Sequence, residues 1–513
     1  MLPVCTSDVS IDSTLPILAE HPAVILVDAG RPVGMLLARD AANALHFDQG
    51  HTPCDRIAQP LPRAGRPVST GSGYVVRRRD GTFFIHTAPQ KQRTLTWSDL
   101  SASLPPVLVD YLRRVARICA LHDAQLYLVG GIVRAVCRRE SLTDVDVAVV
   151  GAFVPVIDAI AAATGATVLQ RSPFGTATLT FPTAIQAALG MASYDIVGAR
   201  REVYSSSGAL PTVTPVDDIR IDLQRRDLTV NAMAIAVHAD DDLQLIDPFG
   251  GWADIQAKRA KLVHPLSFFE DPTRLVRLAR IAARLDLRID TRLRGLVNWA
   301  VVEGLCQGVS RFRWLQELQH TLAEATPAAP ILLLQKWGVL TAVMPGARLL
   351  CRDAAQLAHI TPSERIVALL WRMQLPALSA VLATWTELPT GLRDLLVLRG
   401  QRGRWRRWLT LRPSHSIRAL APLDATVLAA VACLEPALAA VLARHAVVVA
   451  QSPMHIRGAD LVAAGVPPGP AIRRGLDALQ TYLWDARWLG APPCDSVAAQ
   501  RTYAVTACLG RQL

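Results

Sequence analysis

Two aspartates set two residues apart, a pair of glycines and a spaced set of arginines are the residues of this sequence that could do chemistry together. In Thr143-Asp144-Val145-Asp146-Val147-Ala148-Val149-Val150, a strand would place Asp144 and Asp146 on one face and Val145 and Val147 on the other. Two carboxylates side by side on an apolar strand repel each other, and a divalent cation between them removes that penalty. Oxygen ligands completed by water or phosphate are the coordination that Mg²⁺ prefers. The bland reading is a strand end with two solvated aspartates. Just upstream, Gln125-Leu126-Tyr127-Leu128-Val129 runs into Gly130-Gly131-Ile132-Val133-Arg134. Glycines let a backbone approach a ligand, and the amides of a following helix can hold phosphate oxygens. The same pattern also serves as a plain structural turn.

Three later segments carry charge in patterned form. Arg225-Arg226-Asp227 lies four residues before Asn231. Guanidiniums grip phosphate in bidentate fashion, so Arg226, Asp227 and Asn231 suit a ribose and triphosphate. The alternative is a solvated helix start favoured by the dipole. From Glu270, helical arithmetic puts Leu275, Leu278, Ala282 and Leu285 on one stripe. Asp271 projects into that stripe, Arg274 lies at its margin, and Arg277, Arg280 and Arg284 fall opposite. An acceptor and a donor one turn above a packed stripe could meet the edge of a base, or form a surface ion pair worth a few tenths of a kcal/mol. Arg402, Arg404, Arg406 and Arg407 interleave with Trp405 and Trp408, a composition suited to an RNA backbone and exposed bases, or to a solvated face.

The elements that must position these residues divide the chain by texture. Residues 1–65 contain Ala23-Val24-Ile25-Leu26-Val27-Asp28, a turn at Gly30, a second apolar run from Pro32 and a helix from about Arg39. Residues 66–104 read as a linker with a small hairpin. Helices and strands alternate over 105–265, the pattern of an α/β or α+β head. Helical periodicity then takes over, through a neck at 266–345 and a body and tail at 346–513. The predicted fold class is α+β, a sheet-containing head followed by an all-helical remainder.

Gly130-Gly131-Ile132-Val133-Arg134 followed by Asp144-Val145-Asp146 resembles the signature of the nucleotidyltransferase superfamily, nearest the class II CCA-adding enzymes and bacterial poly(A) polymerases. Arg225 to Ala234, Asp247-Pro248-Phe249-Gly250-Gly251-Trp252 and Glu270 to Arg274 resemble that family's second, hinge and nucleotide-selecting motifs. The resemblance implies a nucleotidyltransferase-type head and addition of CMP and AMP to a tRNA 3′ end. Asp144 and Asp146 would hold Mg²⁺, and Gly130, Gly131 and Arg134 would cradle phosphates. Asp271 and Arg274 would select CTP and ATP. An A-adding or poly(A)-polymerase specialist shares these motifs, and a non-catalytic nucleotide- or RNA-sensing protein is the rival of another class. Two departures stand out. Ala135 occupies a position where the family usually has Asp, and Arg311-Phe312 replaces Gly-Glu between Ser310 and Arg313, with Glu317 retained. The N-terminal segment resembles half of a CBS pair, implying either adenosine-nucleotide binding or a structural remnant.

Composition agrees with such a reading. Lys and Arg outnumber Asp and Glu by 54 to 43, a formal charge of +11, which favours a polyanionic partner. Nine scattered cysteines show no metal spacing and no disulfide framework, as expected in a reducing cytoplasm. No signal peptide is read at the N-terminus. Glu435, Pro436, Arg444 and His445 interrupt the apolar stretch 425–450, so a buried helical hairpin is expected there, and no membrane partner. Nothing in the sequence speaks to oligomeric state.

Overall fold

A computed structural model describes every residue except 1, 63–67, 70–73, 79–81, 87–92, 141–144, 173, 240–242, 492–493 and 510–513. The chain forms two compact units. One comprises Met1–Thr321 with Lys336–Val343, the other Leu322–Gln335 with Met344–Leu513.

At the start of the first unit, strand Val4–Thr6, helix Ile11–Glu20, strands Ala23–Asp28 and Arg31–Leu37, and helix Ala38–His46 form a βαββα module. Ala29 and Gly30 both have positive φ, the geometry of the two-residue turn that matches strand twist. The first run buries Ala23 to Leu26 and the second buries Met35 to Leu37, while Pro32 and Val33 beside the turn stay exposed. The small hairpin expected within 66–104 is present, Tyr74–Arg77 pairing antiparallel with Phe83–His86 and Val68–Ser69 lying beside it. Its described residues are more than a linker, because Val75 and Phe83 join Ala23, Ile25, Met35 and Leu37 in one apolar cluster. Strand Arg93–Leu95 becomes an outer edge of the head sheet. Local glycines and arginines masked these pairings, which are long-range.

The head is built on eight strands, in spatial order Val168–Ser172, Thr176–Thr180, Ser193–Gly198, Asp146–Val150, Gln125–Val129, Ala234–Val237, Leu243–Ile246 and Arg93–Leu95. Among the described strands of this sheet, only Asp146–Val150 and Ser193–Gly198 pair in parallel. The central strands are apolar on both faces because helices cover them, chiefly Pro106–Leu121, whose buried Leu108, Leu112, Val115 and Cys119 recur at helical spacing. Beyond Gly251 the described residues contain helices and no strands, so helix dominates from slightly earlier in the chain than its texture suggests.

In the second unit, helices Ala425–Leu434 and Pro436–Ala450 break at Glu435, giving the expected hairpin. Among the described residues no single helix is long and apolar enough to cross a membrane. One pair passes by length and composition, Pro413–Leu420 with Ala425–Leu434, and it is bent by 116°. All nine cysteines are free.

Candidate active site

Register gathers the chemistry at one end of the head sheet. Val129 pairs with Asp146 across antiparallel strands, so Gly130 lies beside the first residue of the Asp146–Val150 strand. Asp195 pairs with Asp146 across parallel strands, and in-register residues of neighbouring strands project to the same face about 5 Å apart. Asp195 also accepts a 2.7 Å hydrogen bond from the Thr178 hydroxyl, which fixes its carboxyl group. Asp144 lies outside the described residues.

Gly130 is required twice over. Its φ is +69°, and a Cβ there would stand 2.9 Å from Asp146 Oδ2 and 3.7 Å from Arg226 Nη1. The Asp146 carboxylate and the Arg226 guanidinium therefore sit against bare backbone. Helix Gly131–Arg138 begins at the same point. Arg226 is held from behind, because Asp222 accepts from its Nη2 at 3.0 Å and from Arg225 Nε at 3.0 Å. Burial opposes the charge on Asp222, yet Arg226 and Arg225 pull its carboxyl below the usual range.

Arg134 is buried and donates to the Asn231 side chain. Burial, with Arg284 nearby, pushes its guanidinium down to about 10, so a negative charge arriving here would be stabilised. Asn231 in turn donates to Asp227 at 3.0 Å. Asp227 also accepts from the Leu228 amide at 2.7 Å and Arg277 Nε at 2.9 Å. Asp227, 2% exposed, thus orients Asn231 from among these protein donors. Despite the burial, Arg277 and these donors hold its carboxyl far below normal.

The Asp271 and Arg274 geometry differs from the helical extrapolation. Helix Arg274–Leu285 starts three residues after Asp271, which is extended and accepts from the Thr273 amide at 3.0 Å. Arg274 lies within the buried stripe. Its Nη1 donates to Ser267 Oγ and Glu270 Oε2, both at 2.8 Å. Its Nη2 donates to the Arg225 carbonyl at 2.8 Å and the Tyr204 hydroxyl at 3.4 Å. Arg277 and Arg280, set opposite the stripe, pair with Asp227 and Glu317. The retained Arg313 reaches Asp271 Oδ1 at 2.9 Å and the Gly208 carbonyl at 2.9 Å, while Phe312 points to solvent. The altered fifth segment therefore still buttresses Asp271. Ala135 is buried in its helix, where an ionised acid would need a partner.

One acid in this network has a measurable consequence. Burial opposes ionisation of Glu270, but His264 and Arg274 bring its carboxyl down to about 2 from an ordinary 4.5. A depressed carboxyl stabilises fully above its unfolded value and loses that contribution as pH falls through the folded value. The contribution is roughly 3 kcal/mol. Thermal melts from pH 5 to 2 are expected to show this loss in the wild type and a shallower one in Glu270→Gln.

The Asp247 segment forms a cap. Its carboxylate accepts from the Gly251 amide at 2.7 Å and the Trp252 amide at 3.0 Å. Gly251 packs so closely that a Cβ would overlap the Thr229 carbonyl oxygen. Gly251→Ala is expected to destabilise the chain by about 2–4 kcal/mol, read as a drop in melting temperature. In the second unit, Trp405 and Trp408 are buried, and Trp405 stacks on Trp371 at 5.9 Å. The two rings are core, leaving Arg402, Arg404, Arg406 and Arg407 exposed without them.

Residues 126–261 match the family described as the poly A polymerase head domain. The chain is 30% identical over 361 residues to an A-adding tRNA nucleotidyltransferase of Geobacter sulfurreducens, covering 63% of this chain and 40% of that protein. It is 35% identical over 254 residues to a CC-adding tRNA nucleotidyltransferase of Deinococcus radiodurans, covering 50% and 63%. The match thus gives residues 126–261 the character of a poly A polymerase head domain. The chain spans less than two thirds of the length of each of these relatives. In fold, it resembles the apo structure of a CCA-adding enzyme with a TM-score of 0.68 at 21% identity, covering 82% of this chain and all of that one. A Thermotoga maritima CCA-adding enzyme complexed with tRNA gives a TM-score of 0.63 at 22% identity, covering 82% and 100%.

Within this nucleotidyltransferase head, sequence reasoning missed Asp195, Asp222 and Tyr204. Asp222 did leave a signal, since it stands three and four residues before Arg225 and Arg226. Asp195 left only an acid in the otherwise apolar run Tyr194-Asp195-Ile196-Val197.

Proposed function

We propose that the chain adds nucleotides to the 3′ end of tRNA, incorporating CMP and AMP from CTP and ATP with release of pyrophosphate. The observation that carries the reading is Asp146 and Asp195 projecting from one sheet face beside the bare backbone of Gly130, with Arg226 in the same corner. Two carboxylates next to a cradle that a Cβ would fill are donors suited to Mg²⁺, and Asp144 would add a third. The bound cation would activate the RNA 3′-hydroxyl and stabilise charge on the triphosphate during in-line displacement.

The chain's own residues then have separable tasks. Arg226, pinned by Asp222, points a fixed guanidinium at triphosphate oxygens, and Arg134 lends charge from beneath Gly131. The amides after Gly130 add neutral donors. Arg274, held by Asp271's neighbours, reads the base. Its longest contact is the one to the Tyr204 hydroxyl, so that edge of the guanidinium is the one to exchange for a base. The exposed arginines from Arg402 to Arg407 would hold RNA phosphates, with no base stacking from Trp405. Such a reaction belongs in the cytoplasm.

A narrower reading, addition of the terminal A alone, is favoured by relatives such as the Geobacter protein and a second A-adding enzyme of Aquifex aeolicus, 36% identical over 220 residues and covering 43% of this chain and 26% of that one. Transcripts ending before CCA, after C and after CC, incubated with labelled CTP or ATP and Mg²⁺, separate the two. CTP incorporation supports CCA addition. ATP incorporation confined to the CC-ending transcript supports the narrower reading. No incorporation on any transcript leaves a non-catalytic sensor.

A further inference from the structure

The βαββα module at the N-terminus ends its second helix against the residues that hold Arg274. His46 Nε2 lies 2.5 Å from the Tyr204 carbonyl oxygen and donates a proton to it. Tyr204 in turn places its hydroxyl 2.9 Å from Glu202 Oε2 and 3.4 Å from Arg274 Nη2, with the Arg274 guanidinium 5.8 Å from the ring centroid. The next residue, Phe47, packs on Phe269 at 6.2 Å between ring centroids, and Phe269 packs on Trp299 at 4.5 Å. Phe269 belongs to the short helix Ser267–Glu270, which supplies three of the oxygens that Arg274 donates to. At the start of the same N-terminal helix, Arg39 lies 5.9 Å from the Phe249 ring, in the segment capped by Asp247. This helix and its capping residue Phe47 thus touch Tyr204 and the Ser267–Glu270 helix, two of the three segments that Arg274 donates to, and the turn at Phe249 besides.

We propose that His46 and Phe47 are positioning residues for base selection, and that the N-terminal module braces Arg274 through Tyr204 and Phe269. This rests on the reading of Arg274 as the base-selecting group. The hydrogen bond to the Tyr204 carbonyl fixes the backbone from which the ring and hydroxyl reach Arg274. The Phe47–Phe269 contact fixes the helix carrying Ser267 and Glu270. With either brace gone, the guanidinium gains alternative orientations, and discrimination between bases suffers before the chemistry does, because the carboxylates at Asp146 and Asp195 are carried by the central strands.

The test uses the full chain with His46→Ala, Phe47→Ala and the donor-retaining His46→Gln. Hydrogen exchange reads the brace without any activity. Amides of 267–276 are expected to exchange faster in both alanine variants, with those of 125–129 and 146–150 unchanged. Nucleotide addition reads the consequence. Loss of one hydrogen bond or ring contact is expected to raise KM for the preferred nucleotide about fivefold at nearly constant kcat, with more incorporation of the wrong nucleotide. His46→Gln is expected to restore most of both. Unchanged exchange over 267–276 overturns the brace. Faster exchange with unaltered KM and nucleotide choice overturns its role in selection. If the wild type adds no nucleotide, the reading of Arg274 falls, and the exchange result still decides whether the brace exists.

Discussion

Asp146→Asn is expected to lower nucleotide addition by at least about a thousandfold while leaving the melting temperature close to that of the wild type. The amide matches the carboxylate in shape, so the pairings of Asp146 with Val129 and Asp195 persist. What disappears is the negative charge that would bind a divalent cation beside the bare backbone of Gly130. Removing one of two neighbouring acids relieves their repulsion, which offsets the attraction lost to the Arg226 guanidinium in the same corner. Single-turnover extension of a tRNA transcript at saturating nucleotide checks the rate, and a thermal melt checks the fold. A variant retaining a tenth of wild-type activity would take Asp146 out of the metal site.

Asp222→Ala is expected to act on stability and binding together. The Asp222 side chain has no exposure, and it accepts from Arg225, from Arg226 and from the Arg200 amide at 3.3 Å. Truncation takes its buried carboxylate from the Arg226 guanidinium and leaves Arg225 to Glu202 alone, and removing one partner of a buried ionic cluster costs about 3–5 kcal/mol. Arg226 would then swing free of the corner beside Gly130, so KM for the nucleotide is expected to rise along with the drop in melting temperature. Asp222→Asn keeps two acceptor sites and should fall between the two. Denaturant unfolding and initial-rate kinetics on the same preparations distinguish a binding defect from simple loss of folded protein.

Parts of this site were legible in the sequence for definite reasons. The apolar run before Gly130-Gly131 and the alternation around Asp146 are local signals, and local signals set strands and turns. The hairpin broken at Glu435-Pro436 announced itself in the same way, as did the paired strands around Gly30. Asp195 was hidden because its partnership with Asp146 is a parallel pairing across about fifty residues, which leaves no trace in local pattern. Asp271 was misplaced because its own extended backbone and Pro272 delay the helix start to Arg274, so the helical wheel does not reach it. The arginine-tryptophan run from Arg402 to Trp408 read as a stacking surface, yet Trp405 and Trp408 are three apart and share the inward face of one turn. Composition cannot tell a ring offered to RNA from a ring that fills a core.

The proposed activity is tested most directly by measuring pyrophosphate release and 3′-end extension together. Purified full-length protein is incubated with Mg²⁺, CTP, ATP and a tRNA transcript lacking its CCA end, and with the same transcript carrying CC. The account predicts one pyrophosphate per nucleotide added on at least one of these transcripts, and neither product when EDTA replaces Mg²⁺. Folded protein that gives no extension and no pyrophosphate with Mg²⁺ on either transcript would contradict it.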